Sequence, residues 1–298
     1  MTTTDPVIED AFQQCAELTR RRARNFYYGL KLTPQPRRSA MFAIYAWMRM
    51  ADDIVDSGSI NDSERAEQLE TFKQMTHVAL SGRRPAEDSL WIAMADTASR
   101  YELDPADFDD MLAGQVDDLH VTSCADWDQL RTFCYRVAST VGRVCISIWG
   151  YEDPAAVEMA VDRGIAFQLT NILRDFREDH ESGRVYLPAE DFSRHGLRPE
   201  DVIEWSDPDR CTDFILEQVA RARDHYIRSA PLDGLITPEC VPTLWAMTAI
   251  YRGILEKIAS SPFRVAGDKR IRLSALRKTS IAFKARRMIP ARMAGTAR

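Results

Sequence analysis

QLTNILRDFREDHESGRVYLP, residues 168–188, begins as a buried helix and then sets acid where the apolar stripe should continue. Gln168, Asn171, Asp175 and Asp179 follow a three-four-four spacing, which on a helix is a single polar stripe. Asp175 and Asp179 therefore stand one above the other and repel by on the order of a few tenths of a kcal/mol. The stretch YAWMRMADDIVDSG repeats the device, with Tyr45, Arg49, Asp52 and Asp56 at four-three-four spacing and Asp53 alongside. Both stripes close strongly apolar helices, at the end where the helix dipole least favours negative charge. A bound cation would offset both penalties.

Working outward, apolar residues recur at three- and four-residue intervals through most of the chain, and alternation of period two is rare. The pattern predicts an all-α protein, with helices near 8–24, 36–57, 62–81, 87–101, 105–119, 126–150, 153–180, 208–229, 238–260 and 272–288. ESGRVYLPAEDFSRHGLRPED is the longest stretch read as irregular. Neither an interdomain linker nor a repeat of solenoid length emerges, so residues 1–298 are expected to form one domain around one core.

Composition narrows the chemistry. Hydrophobic residues make up 45% and charged residues 28%, as in globular proteins, and a net charge of −6 argues against nucleic acid as a partner. Charge is uneven: Arg264 to Arg298 holds eleven Lys or Arg against one acid, Asp268. That segment fits either a solvated basic helix or a contact with anionic lipid. No apolar run is long enough to span a bilayer and no signal peptide opens the chain, so a cytoplasmic protein is expected, with peripheral contact on the inner face of the membrane through segment 264–298 as the alternative to a solvated helix there. Cys15, Cys124, Cys134, Cys145, Cys211 and Cys240 lack metal-ligand spacing and read as core thiols in a reducing compartment. Zincin, nucleophile-elbow, Walker and dinucleotide patterns are missing, which removes those chemistries and predicts no nicotinamide cofactor.

Either acidic cluster alone is compatible with a solvated helix end. Together, facing each other inside a bundle, they would bring at least four carboxylates close, at a cost of many kcal/mol unless a cation lies between them. The ligands are all oxygen and no Glu-x-x-His pair accompanies them, which favours Mg²⁺ over zinc or di-iron, with Mn²⁺ as the alternative. Mg²⁺ commonly shares its shell with substrate phosphates, so a diphosphate substrate is implied, with Arg49 and Arg174 placed to bond its oxygens.

On these motifs, with NFYYGLKLTPQPRRSAMFAIYAWMRMADDIVD, YRVASTVG and YRGILEKI, the chain resembles the squalene and phytoene synthases over nearly its whole length. The resemblance implies a helical bundle of the isoprenoid synthase type with a central cavity, in which two prenyl diphosphates are joined head to head. It implies that Asp52, Asp53 and Asp56 on one wall and Asp175 and Asp179 on the other hold Mg²⁺ and the diphosphates, with Gln168 and Asn171 lining the second wall. Val137, Ala138, Val141 and Gly142 resemble the small-residue wall that admits a prenyl chain, and Phe26 and Tyr45 are aromatics placed to face positive charge. Arg184 and Tyr186 in GRVYLP resemble a flap over the diphosphates, and Tyr251 is expected to reach one. Asp118 matches an acidic position of the family, although a capping or ion-pair role fits it equally.

Phe133 stands where the family usually has a tyrosine thought to assist proton transfer, and Tyr135, about 200° further round the helix, does not replace it. The departing diphosphate is then left as proton acceptor. Asn25 stands where the family commonly has serine. The expectation is a bacterial-type enzyme that condenses two farnesyl diphosphates and stops at presqualene diphosphate, for squalene or hopanoid synthesis. The alternatives are a phytoene synthase using geranylgeranyl diphosphate in carotenoid synthesis, a non-catalytic binding or assembly member, and a class I terpene cyclase.

Overall fold

Helix starts in this chain are written largely in aspartate. The computed structural model describes residues 5–22, 25–58 and 61–288, apart from the side chains of Asn25, Phe26 and Tyr28. Phe26 and Asn25, singled out from the sequence, thus have side chains outside the described residues, as does the end of the basic segment beyond residue 288. The chain runs through α1 (Pro6–Arg22), α2 (Asn25–Leu30), α3 (Arg37–Val55), α4 (Asp62–Leu80), α5 (Ser89–Arg100), α6 (Pro105–His120) and α7 (Trp127–Cys134). It continues through α8 (Thr140–Trp149), α9 (Ala155–Glu181), α10 (Ala189–His195), α11 (Pro199–Glu204), α12 (Pro208–Arg228), α13 (Val241–Ala259) and α14 (Ala275–Met288). Side chains of Asp88, Asp104, Asp126 and Asp207 accept from backbone N–H groups at the starts of α5, α6, α7 and α12. Asn61 and Glu64 close a reciprocal capping box on α4. Each such cap contributes about 1 kcal/mol.

The all-α expectation holds: no strand occurs among the described residues, only isolated bridges. Details differ from the periodic reading, among them α2 (Asn25–Leu30), which falls between the helices expected over 8–24 and 36–57. The helix expected over 126–150 is broken by a π-helical turn, Tyr135–Ser139, between α7 and α8. The stretch read as irregular contains α10 and the start of α11, both too short to show a period. The described part of the basic segment that begins at Arg264 packs on the bundle: Val265 and Ile271 are buried, and α14 seats Ile281 and Ala285 beside α13.

Two apolar clusters form the core. One is centred on Trp47 of α3, whose ring meets Phe108 edge-on at 4.9 Å and whose Nε1 donates to Thr76 Oγ1 at 2.8 Å. The other joins α9 to α12 and α13 through Leu173, Phe176, Phe214, Ile215 and Leu255. On α3, Ala40, Ile44, Trp47, Ala51 and Val55 are buried, which turns Tyr45, Arg49, Asp52 and Asp56 towards the seam between the clusters. On α9, Leu169, Ile172, Leu173 and Phe176 do the same for Gln168, Asn171, Asp175 and Asp179. All six cysteines are buried and free, and burial pushes the Cys145 thiol up to about 12, as befits inert core groups.

Candidate active site

The π-helical turn is the wedge on which the site is built. It is pressed from both sides by glycines: a Cβ on Gly114 of α6 would lie 2.9 Å from Arg136 Cβ, and one on Gly164 of α9 would lie 2.5 Å from Ser139 Cα. Such π turns recur at functional sites because the extra residue displaces side chains from the regular helical register. Here it delivers Val137 into two adjoining chambers at once.

The first chamber, about 310 Å³, is polar and lined by Asp52, Asp56, Asp118, Gln115, Arg136 and Gln168, with Phe133 among the apolar residues. The second, about 180 Å³, is mainly apolar. Its lining includes Val137, Ala138, Val141, Gly142, Phe167 and Tyr251, with Trp149, Leu232 and Leu244 also on its wall. Gln168 and Asn171 bring polar atoms to it, and Met48, Val137, Val141 and Gln168 line both chambers. Twelve residues of helix separate Val137 from Trp149, about 18 Å of depth.

The two acidic stripes are linked through Asp118: Asp52 and Asp56 line the polar chamber with it, whereas Asp175 and Asp179 lie outside that lining. Burial pushes the Asp52 carboxyl up to about 6, with Asp56, Asp53 and Asp118 adding to the shift and Arg49 opposing it. Burial likewise pushes Asp179 up to about 7, helped by Asp175, Asp118 and Glu178. Asp118 acts on carboxylates of both walls, so it stands between α3 and α9. It also accepts from Tyr186 Oη at 2.6 Å and lies 3.6 Å from Arg184. The Tyr186 ring stacks on Phe133 at 4.8 Å, and burial and the Asp118 bond both hold its hydroxyl protonated. A phenol therefore backs two residues of the chamber wall, Asp118 and Phe133, although it comes from GRVYLP and lies outside the lining itself. That loop is folded down: Val185 N–H donates to Thr122 O at 2.7 Å and Ala189 N–H to Cys124 O at 2.9 Å.

Cations ring the mouth. Arg49 donates to Asp52 Oδ2 at 3.2 Å and to Asp53 Oδ1 at 2.8 Å, and Tyr45 is half-buried beside them. Asp53 is exposed, outside both chambers, with Arg22 3.7 Å away, so its place is at the rim. Arg174 and Arg270 both hold Asp175, the latter through Nε at 2.8 Å and Nη2 at 2.6 Å. Burial works to raise the Asp175 pKa, but these bonds outweigh it and hold the group below the usual carboxylate range. Arg270 escapes a sequence reading because it sits among many basic residues 95 positions from its partner. Tyr135 lies outside both chambers, near Arg143 and Asp107.

The donor set fits Mg²⁺. Besides the two raised carboxyls, Asn171 Oδ1 and Gln115 Oε1 are buried acceptors without a protein donor. Such atoms cost about 1–3 kcal/mol each when left unmatched. No group of three or more His, Cys, Asp or Glu converges tightly enough to cage a metal among the described residues. An ion here would complete its shell from water and phosphate oxygen, which suits Mg²⁺.

A family profile described as squalene/phytoene synthase matches residues 19–277. The chain belongs to that family. It is accordingly a prenyltransferase of the kind that condenses prenyl diphosphates head to head. It is 36% identical over 278 residues to a protein named phytoene synthase from Mycobacterium tuberculosis, covering 92% of this chain and 90% of that one. A 15-cis-phytoene synthase of Synechococcus elongatus is 33% identical, covering 87% of each chain. A crystal structure of a dehydrosqualene synthase superposes with a TM-score of 0.80 at 26% identity, covering 94% of this chain and 96% of that one. A squalene synthase from Alicyclobacillus acidocaldarius, at 23% identity and a TM-score of 0.80, shares the fold over 87% of this chain and 97% of its own. Among the described residues no helix is long and apolar enough to cross a membrane.

Proposed function

We propose that this protein joins two geranylgeranyl diphosphates head to head to give phytoene, with Mg²⁺ as its metal. The observation that carries the reading is the polar chamber lined by Asp52, Asp56, Asp118, Arg136 and Gln168, which adjoins an apolar one through Met48, Val137, Val141 and Gln168. Residue pattern and resemblance alone favour farnesyl diphosphate. The relatives named phytoene synthase, 33–36% identical over most of the chain, shift the preference to the C20 substrate.

Asp52 and Asp56 on one wall, and Asp175 and Asp179 on the other, would hold the metal, which when bound neutralises the leaving diphosphate. Arg49, Arg174, Arg184 and Arg270 surround that mouth and orient the two diphosphates through charge-assisted hydrogen bonds. Val137, Ala138, Val141, Gly142 and Phe167 keep water from the allylic cation and hold the second chain's double bond against it. The Tyr186 hydroxyl donates to Asp118 and fixes its orientation beside the reacting ends. With phenylalanine at position 133, the departing diphosphate takes the proton lost as the cyclopropane forms; loss of the second diphosphate and of a second proton as that ring opens and rearranges completes the hydrocarbon.

Purified protein incubated separately with C15 and C20 diphosphates, with Mg²⁺ and after chelation, tests this directly. A C40 hydrocarbon formed only with metal supports the proposal. A dimeric product from farnesyl diphosphate alone would overturn the chain length but leave the condensation standing, and a monomeric cyclic product would overturn the reaction itself.

A further inference from the structure

Helix α14 faces outward with the wrong residues for water. Its sequence, ALRKTSIAFKARRM, carries five basic residues and no acid. Ile281 and Ala285 are buried in the cluster that includes Ala246 and, half-buried, Trp245 of α13. At 3.6 residues per turn, the direction opposite to that pair is occupied by Leu276 and Phe283, seven residues apart and so aligned on one line. They are 85% and 56% exposed, the former the most exposed of the large hydrophobic residues described. Arg286 and Arg287 flank this line, and the Arg287 guanidinium lies 4.3 Å from the Phe283 ring centroid, so in water it shields one face of the ring.

The charge on this face is unmatched. Ion pairs cover much of the remaining surface, yet Arg277, Lys278, Lys284, Arg286 and Arg287 make none with any described residue. In a protein of net charge −6, that leaves one positive face with two apolar side chains projecting from its middle. Basic residues around a projecting Phe and Leu are what an interfacial helix uses: cations meet anionic headgroups while the apolar pair reaches the acyl boundary. An acidic protein or a nucleic acid would satisfy the charge but leave Leu276 and Phe283 without a counterpart. The helix beneath, α13, supplies Met247 and Tyr251 to the apolar chamber, so this face lies one helix away from the prenyl chain.

We propose that α14 seats the protein on an anionic bilayer, with Leu276 and Phe283 inserted and Lys284, Arg286 and Arg287 at the headgroups. The surface does not depend on the length of the prenyl substrate. Flotation of the full chain with vesicles of phosphatidylglycerol mixed with phosphatidylcholine, and of phosphatidylcholine alone, tests the assignment. Wild type should float with the mixed vesicles at low salt and lose binding as salt rises. The double variant Leu276→Ser, Phe283→Ser should bind about tenfold more weakly, with helicity and turnover of detergent-dispersed substrate unchanged. Lys284→Glu with Arg286→Glu should lose the preference for anionic lipid, and Phe283→Trp should keep full binding. Equal flotation of the double variant and wild type would overturn the proposal, and so would a wild type that ignores anionic vesicles. A wild-type dimer that the double variant dissolves would also overturn it, assigning the face to a second copy of the chain.

Discussion

Arg270 donates from Nε and Nη2 to the two carboxylate oxygens of Asp175, at 2.8 and 2.6 Å, from a segment 95 residues further along the chain. Asp175 is thereby neutralised by the protein itself, while Asp179 on the same wall is left with its pKa raised to about 7. The wall is asymmetric: one acid is committed to arginine and the next waits for a cation. Two opposite effects should follow in Arg270→Ala. Loss of a charge-assisted pair at the mouth should raise the KM for prenyl diphosphate by about tenfold to a hundredfold. Leaving Asp175 with one arginine instead of two should lower the Mg²⁺ concentration needed for half-maximal rate. Arg174 still holds Asp175, so the fold should persist. Initial rates against substrate and against metal read both, and parallel changes would refute the competition.

Gly164 makes a second prediction. A methyl group there would meet Ser139 Cα at 2.5 Å, Ser139 N at 2.7 Å and Ala138 O at 2.8 Å. These are backbone atoms of the π-helical turn and its flank, and they cannot swing aside. Gly164→Ala should destabilise the protein by about 1–3 kcal/mol and lower kcat by displacing Val137 and Ala138 from the chambers. Gly29→Ala, whose new methyl would find only Met247 Cγ at 3.8 Å, is the control and should be near neutral in urea unfolding. Equal midpoints for the two variants would contradict the wedge.

These residues also mark what is legible in a sequence. Asp52, Asp56, Asp175 and Asp179 stand out because a charged stripe on an apolar helix violates the helical pattern, and local spacing fixes which face they share. Gln168 and Asn171 are found by the same rule, whereas Val137 and Val141 are reached only through the family resemblance. Arg270 is hidden because its partner lies far along the chain and its neighbours are equally basic. The π turn is hidden because one extra residue in a helix leaves composition and period almost unchanged. Asp118 is half-read: its type is visible, but its position between the two walls depends on how α3, α6 and α9 pack. The wall of the apolar chamber belongs to the same hidden class, since Leu232 and Leu244 join Trp149 only in three dimensions.

Trp149 offers a test of that hidden property. It is buried on the wall of the apolar chamber, and its indole Nε1 has no acceptor. An orphan donor costs about 1–3 kcal/mol, so the size of the ring is being kept against a penalty that phenylalanine would avoid. Under the proposed C20 chemistry, Trp149→Phe should deepen the chamber without a large loss of stability. The ratio of kcat/KM for the next longer prenyl diphosphate to that for geranylgeranyl diphosphate should rise on the order of tenfold. Competition assays with both substrates measure it, and an unmoved ratio would place the length gauge elsewhere.

Asp191 links the acid stability of the protein to its site. Its side chain is fully buried on α10 and accepts from Gln218 Nε2 at 2.9 Å and Arg221 Nη1 at 2.6 Å on α12, with Arg194 completing the clamp. Burial favours the neutral acid, but the three donors win and hold the carboxyl below its ordinary range. A depressed folded pKa stabilises the fold above the unfolded value of about 3.9, and that contribution is lost as pH falls through the folded value. Urea midpoints for wild type should therefore drop steeply below about pH 4. Asp191→Asn should lose much of that slope and, at neutral pH, about 3–5 kcal/mol of stability, because a buried ion pair is broken and Arg221 keeps only the more distant Glu217, 3.8 Å away. The clamp also anchors α10 directly after GRVYLP, so the same variant should loosen the loop carrying Tyr186. Hydrogen exchange at Val185, whose N–H bonds Thr122 O, should quicken more than exchange in α3. An unchanged acid slope in the variant would show that Asp191 does not set it.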